Sequence, residues 1–134
     1  MFDPSSLPSD DEIIESYITA PVLGELPDDS EPCWPEAFRI LNSDDPERAW
    51  SLIYDLIKAI PDALLPNVAA HQLENFLNKH ASDYIDRIEN RSQVDDRFAD
   101  ALALVWITKG FFEPEIELRL VRASRGRMRV LNPY

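Results

Sequence analysis

Glycine is scarce in this chain of 134 residues, and its scarcity does most to limit the folds open to the chain. Only Gly24, Gly110 and Gly126 occur. The tight turns of antiparallel sheets need residues that accept a positive φ, chiefly glycine, so an all-β protein would require many more. Helices joined by short links have no such requirement. The sequence therefore predicts an all-α protein.

Apolar side chains recur at intervals of three and four residues, as they do on the buried face of a helix. The clearest stripe follows Asp45 as a helix cap and Pro46 in the first turn, and it consists of Trp50, Ile53, Ile57 and Ile60. Similar patterns predict helices over residues 10–19, from Pro35, over residues 66–80, from Ser82, and from Asp95 to an inward-facing Trp106. The segment PDDSEPCWP, residues 27–35, is predicted to be a loop.

The predicted architecture is a single domain of antiparallel helical hairpins, packed like HEAT-type repeats or as an irregular bundle. Residues 1–45 would form an acidic, proline-rich N-terminal region, residues 46–124 the helical core, and residues 125–134 a C-terminal tail. Apolar and polar side chains alternate in parts of residues 116–130, a pattern that would also suit two strands. We favour a helix over residues 114–124 with an irregular tail after it, because Pro114, early glutamates, late arginines and Gly126 agree on its ends.

Charge is distributed unevenly along the sequence, whose formal net charge is −12. Residues 1–45 hold twelve acidic residues and one arginine, a net of −11. Residues 46–114 hold eleven acidic and seven basic residues, a net of −4, and residues 115–134 hold two glutamates and five arginines, a net of +3. The basic end consists of Arg119, Arg122, Arg125, Arg127 and Arg129.

The arginines of the basic end have two interpretations. Clustered arginines are typical of phosphate contacts in nucleic-acid-binding proteins, but the overall charge of −12 repels polyanions. We therefore expect an internal charge complement, in which the arginines pair with the protein's own acidic face or with that of a second copy. Direct nucleic-acid binding is the less favoured interpretation, and homo-oligomers remain possible.

Four stretches of the core, PERAWSLI, QLENFL, HASDYIDRIE and DDRFADALALVW, occur at intervals that resemble a family of small bacterial helical domains of unknown function. The resemblance covers about residues 46–122. It implies helical hairpins, and it implies no activity, so no functional residue is carried over to this chain. The acidic first 45 residues lie outside it.

Side chains suited to catalysis or metal binding are few. His71 and Glu74 stand three residues apart, as do His80 and Asp83, but two such pairs make an incomplete ligand set, and the second straddles a predicted helix boundary. Cys33 lies among acidic residues, which disfavour a reactive thiolate. The phosphate loop, the Gly-x-Ser-x-Gly elbow and the His-Glu-x-x-His motif are missing. We predict no catalytic residue, metal or cofactor, and hence no enzyme.

Paired acidic residues recur along the chain, and most of them stand where a predicted helix begins. The acidic residues of the loop before Cys33 do not. Negative charge around an aromatic side chain suits the binding of a basic protein, although Trp34 could instead fold onto the core. The predicted partner-binding residues are Asp28, Asp29, Glu31, Trp34, Asp44 and Asp45.

These features favour a small acidic inhibitor, namely a bacterial immunity protein that covers the active cleft of a cognate toxin enzyme. The alternative is a helical adaptor that binds a peptide or a partner helix, and weaker alternatives are a nucleic-acid mimic and a metal-dependent enzyme. The N-terminus lacks the features of a secretory signal, no apolar run is long enough for a bilayer, and a lone cysteine suits a reducing compartment. We therefore expect a cytoplasmic protein with no membrane partner.

Overall fold

The structure is a computed structural model that describes residues 7–19 and 34–132. The chain divides into two compact units, residues 1–60 and residues 61–134. Within the described ranges the structure consists of α-helices, short 3-10 and π turns, and one small sheet of two strands. The predicted all-α class is confirmed, whereas the single domain stays a prediction.

The first unit begins with helix α1, Asp10–Thr19, as the sequence predicts. Its start is a capping box, since the Ser9 hydroxyl accepts from the Glu12 N–H at 3.3 Å and the Ser9 N–H donates to the Glu12 carboxylate at 3.3 Å. Ile13 and Tyr17 stand four residues apart and are fully buried. One face of α1 therefore belongs to the core of this unit, and the opposite face is exposed.

Helices α2, Trp34–Asp44, and α3, Pro46–Ala59, are the other described helices of the first unit, and they pack against α1 and against each other. They are separated by Asp45 alone, whose carboxylate accepts from the Arg48 N–H at 3.2 Å and caps α3. The Arg48 side chain donates to Asp10 at 3.0 Å and to the Pro8 carbonyl at 2.9 Å. Arg48 thereby fixes the start of α1 against the first turn of α3.

The second unit begins with one long helical run. A 3-10 turn, Asp62–Leu64, leads into α4, Leu65–Val68, then a π turn, Ala69–Leu73, and α5, Glu74–Val94. The predicted boundary at Ser82 is wrong, because α5 continues through it with Ser82 exposed. The apolar stripe also continues without a break, and its buried members are Phe76, Leu77, Ala81, Tyr84, Ile85 and Ile88.

Helix α6, Asp96–Ala103, follows α5 after Asp95, whose carboxylate accepts from the N–H groups of Arg97 and Phe98. The chain then leaves the helix and forms strand β1, Trp106–Thr108. Trp106 is 52% exposed, so the predicted inward orientation of this side chain is wrong. The cause is the early end of α6, which places Trp106 on a strand instead of a helix face.

Helix α7, Pro114–Ala123, confirms the predicted C-terminal helix, and it packs with α6 against α5. Arg125 and Gly126 follow it with φ values of 61° and 75°, which reverse the chain. Strand β2, Arg129–Leu131, then pairs in parallel with β1. The prediction of an irregular tail is therefore wrong at residues 129–131.

Candidate functional site

The structure describes three of the six predicted partner-binding residues, Trp34, Asp44 and Asp45. Asp28, Asp29 and Glu31 lie outside the described residues, as does Cys33. Trp34 is the first residue of α2 and is 7% exposed, with its ring centroid 4.8 Å from that of Tyr17. Trp34 therefore belongs to the core of the first unit, which is the second of the two placements that the sequence left open, and the indole is not an exposed anchor.

Asp44 and Asp45, the other two predicted partner-binding residues, stand at the junction of α2 and α3. Asp44 ends α2 and is exposed, whereas Asp45 is half-buried and caps α3. The carboxylate of Asp45 is thus committed to a structural role. Of the pair, Asp44 is the one that offers an exposed charge to a partner.

The two compact units carry very different charges. Residues 1–60 hold fourteen acidic and three basic residues, a net of −11, whereas residues 61–134 hold eleven acidic and ten basic residues, a net of −1. Almost the whole net charge of the protein therefore belongs to the first unit. The protein therefore has one strongly acidic unit and one nearly neutral unit.

The exposed face of α1 presents part of this acidity at the described surface. Asp11 and Glu15 stand four residues apart on that face, both exposed, and neither forms an ion pair within the described residues. Ile18 lies beyond them and is also exposed. We call Asp11, Glu15 and Ile18 the acidic ridge of α1.

The arginines of the basic end have carboxylate partners within their own unit. Arg119 of α7 pairs with Asp86, at 2.5 Å, and with Glu89, both on α5. These two hydrogen-bonded carboxylates, Glu89 foremost, raise the pKa of the Arg119 guanidinium above its usual value. Arg119 therefore connects α7 to α5 as a permanently charged group.

Arg125 and Arg127 form the second part of this charge complement. Arg125 donates to Asp96 at 2.6 Å and to the Ser92 carbonyl at 3.1 Å, and Arg127 donates to Asp100 at 2.9 Å. The partner carboxylates thus lie on α5 and α6. For these arginines the acidic partners therefore lie within the second unit and not in the acidic first third.

The remaining two arginines of the basic end differ from the others. Arg122 is exposed on α7 and has no ion pair within the described residues. The Arg129 guanidinium lies over the Trp106 ring, 4.9 Å from its centroid. Arg129 thus has an aromatic neighbour instead of a carboxylate, and this contact stacks it on the small sheet.

Replacing both Arg125 and Arg127 with glutamine should lower the free energy of unfolding at low salt by at most about 1 kcal/mol per pair, because both pairs are solvent-exposed. The loss should shrink as salt is added. Urea unfolding at two salt concentrations measures it. Arg122→Gln is the matched control and should change little, and an equal, salt-independent loss in the control would contradict the pairing.

The two histidines have different surroundings. His71 is exposed in the π turn. Burial raises the pKa of the nearby Glu74 carboxyl, and the charge of His71 acts in the opposite direction. The His80 ring lies 5.0 Å from that of Phe76 and 6.1 Å from that of Tyr84, so it packs among aromatic side chains of α5. In the described parts of the chain, no three His, Cys, Asp or Glu residues converge as a metal site would require.

An exposed apolar surface on the small sheet was not predicted. Trp106, Thr108, Arg129 and Leu131 share its outward face, since Trp106 is in register with Arg129 and Thr108 with Leu131, whereas Ile107 is buried beneath. Phe111 follows β1 and is 60% exposed. We call Trp106, Thr108, Phe111, Arg129 and Leu131 the sheet surface. Its signal in the sequence is the run Trp-Ile-Thr, whose aromatic and β-branched residues favour a strand.

Nowhere in residues 7–19 and 34–132 is there a helix long and apolar enough to cross a membrane.

Comparison with known proteins identifies a family for this chain. Residues 24–128 match a family of unknown function, DUF6869, and the match begins well before the expected residue 46. No curated protein and no solved structure matches the chain. Because the match spans most of the sequence, including part of the acidic first third, the chain belongs to the DUF6869 family.

Proposed function

We propose that this protein is a bacterial immunity protein: a non-enzymatic inhibitor that binds a basic toxin enzyme in the cytoplasm and covers its active cleft. The observation that carries the proposal is the concentration of charge, −11 on residues 1–60 against −1 on residues 61–134. Enzymes that act on nucleic acids are commonly basic around their clefts. An acidic unit suits such a surface.

The physical advantage of this arrangement is a fast encounter. Complementary charges raise association rate constants from about 10⁵–10⁶ to as much as 10⁸–10⁹ M⁻¹s⁻¹ at low salt. The basic end does not cancel the acidic field of the first unit, because Arg119, Arg125 and Arg127 are neutralised by carboxylates of α5 and α6. The acidic ridge of α1 supports the proposal, because its two exposed carboxylates form no ion pair within the described residues.

Two experiments identify the partner. Genome sequences of host strains show whether a toxin-domain reading frame stands beside the gene, and its consistent absence would contradict the proposal. Affinity purification of the full chain from its native host, followed by mass spectrometry, should recover a basic enzyme. Addition of the purified protein should then abolish the activity of that enzyme in vitro.

Neutralising the acidic ridge should slow binding to the captured enzyme. We expect the double variant Asp11→Asn, Glu15→Gln to lower the association rate constant roughly threefold to tenfold at low salt, with a smaller change in dissociation. Stopped-flow measurements at several salt concentrations give both rates. The matched control is Asp83→Asn, Glu113→Gln, which removes two exposed carboxylates from the second unit. Equal slowing in both variants would show that net charge matters and the ridge does not.

A second candidate function is an adaptor that binds a peptide segment of another protein. The sheet surface favours it, because Trp106 and Phe111 are largely exposed where most aromatic side chains of the described chain are buried. Exposed aromatic side chains are enriched in binding sites. This candidate requires the second unit to bind a partner, and it predicts binding that survives neutralisation of the acidic ridge.

A further inference from the structure

The small sheet ends after two strands, and its first strand has an edge with unused hydrogen-bonding groups. The Lys109 N–H donates to the Leu131 carbonyl at 2.8 Å, which fixes the side of β1 that faces β2. Backbone groups alternate in direction along a strand, so the N–H groups of Thr108 and Trp106 point to the opposite edge. The Thr108 carbonyl on this edge already accepts from the Phe111 N–H at 3.0 Å, so an added strand could pair with the two N–H groups and with the Trp106 carbonyl.

The side chains around this edge combine apolar surface with positive charge. Trp106 and Leu131 lie diagonally on the outward face, and Phe111, in edge contact with Phe112 at 5.0 Å, extends the apolar surface beyond β1. Arg129 and Lys109 supply the charge, and both are exposed. Residues 104–112 and 127–131 themselves contain no acidic residue, and the Glu117 carboxylate, which reaches this segment, accepts from the Gly110 N–H at 3.2 Å.

We propose that the sheet surface is a peptide-binding site, in which an extended segment of a partner protein pairs with the free edge of β1 as a third strand. Every second side chain of the segment would lie on the outward face, and this row would combine apolar residues, which cover Trp106, with an acidic residue, which pairs with Arg129. Strand addition takes affinity from backbone hydrogen bonds and specificity from alternate side chains, which fits an edge with both features. The site uses no residue of the acidic ridge, and it rests on the adaptor candidate and not on the proposed inhibition.

Two other occupants fit the observations less well. A second copy of the chain brings another net charge of −12, and like charges of this size oppose self-association. Single-stranded nucleic acid stacks on exposed aromatic residues beside arginines, but the same net charge repels a polyanion, and stacking leaves the edge N–H groups unused. Charges are screened beyond a Debye length of about 8–10 Å, so a short acidic strand bound at the sheet surface interacts mainly with the positive charge close to it.

The test uses the full chain and three probes. The first is the capped peptide Val-Thr-Glu-Thr-Val-Thr, whose valines and glutamate share one face of a strand, the second replaces the glutamate of this peptide with lysine, and the third is an oligothymidylate of similar length. Tryptophan fluorescence and amide chemical shifts of Thr108 and Lys109 report binding. We expect the acidic peptide to bind with a Kd below about 1 mM and the lysine peptide at least tenfold more weakly.

Variants and a modified peptide then locate the site. Trp106→Ala and Arg129→Gln should each weaken the acidic peptide severalfold or more. Val94→Ala, which removes a side chain that is 80% exposed and outside the sheet surface, should leave binding unchanged. Two further peptides are methylated at every second backbone nitrogen, one at the odd and one at the even positions. Methylation of the set that faces β1 should abolish binding, and methylation of the other set should leave it unchanged.

Four outcomes would overturn the proposal: no binding of the acidic peptide at 1 mM, equal binding of the lysine peptide, tighter binding of the oligothymidylate, or equal effects of methylation at the two sets of nitrogens. Sedimentation of the free protein adds a fifth. A dimer that Trp106→Ala dissociates would show that a second copy, and not a partner segment, occupies the surface.

Discussion

Replacing Trp34 with alanine should lower the free energy of unfolding by about 3–5 kcal/mol, because the change leaves a large cavity in the first unit. Trp34 is 7% exposed, and its ring packs against that of Tyr17. Urea unfolding monitored by far-ultraviolet circular dichroism measures the loss. The partner affinity of the molecules that remain folded should be unchanged, since the indole is not available to a partner.

Trp106→Ala is the matched control for this prediction. The same side chain is removed, but from a position that is 52% exposed, so we expect the free energy of unfolding to change by less than about 1 kcal/mol. The opposite result would be a Trp34→Ala variant that is as stable as the wild type but no longer binds the partner. It would mean that Trp34 is an exposed anchor and that its placement in the core is wrong.

Replacing Tyr17 with phenylalanine should raise the free energy of unfolding by about 1–3 kcal/mol. The Tyr17 side chain is fully buried, and its hydroxyl has no hydrogen-bond partner in the described chain. Folding removes that hydroxyl from water without a replacement, and phenylalanine avoids this cost while it keeps the ring contact with Trp34. Thermal and urea unfolding of the two proteins measure the gain.

The same substitution has a test at alkaline pH. Burial raises the pKa of Tyr17 in the folded protein above its ordinary value, so the folded state holds this proton more tightly than the unfolded state does. Below about pH 10 both states hold the proton and the pH does not change the stability through Tyr17, whereas above it the unfolded chain ionises and the wild type loses stability. The advantage of Tyr17→Phe in the free energy of unfolding should therefore be constant below about pH 10 and grow above it.

A suitable control is Tyr54→Phe, since Tyr54 is half-buried and its hydroxyl is not a buried group without a partner. That variant should gain no stability at neutral pH. A loss of stability on Tyr17→Phe would mean that the hydroxyl does form a hydrogen bond in the folded protein.

Local signals were sufficient for helices whose ends are marked by side chains. Ser9 and Glu12 mark the start of α1, Asp45 and Pro46 that of α3, and each is confirmed by the caps observed. Ser82 also has the character of a cap, but it lies within α5, where Ala81 and Tyr84 keep the apolar stripe in phase. A continuous stripe therefore outweighs an isolated capping residue, because burial of a whole face stabilises more than one cap does.

Features that depend on distant residues could not be predicted in the same way. Trp106 continues the apolar pattern of α6, and only its pairing with Arg129, far along the chain, shows that it belongs to a strand. The positive charge of the basic end was evident, but the sequence offers 25 acidic residues as partners. The choice of Asp86, Glu89, Asp96 and Asp100 follows from the packing of α7 on α5 and α6.

The parallel pairing of β1 with β2 also bears on the order of folding. The two strands are joined by 20 residues that include α7, so their hydrogen bonds close a loop that must first be brought together at an entropic cost. Once α7 has docked on α5, most of that cost has been met. The strands should therefore pair late, after the helices of the second unit, and open first when the unit fluctuates. A site on this sheet would be assembled last in each molecule.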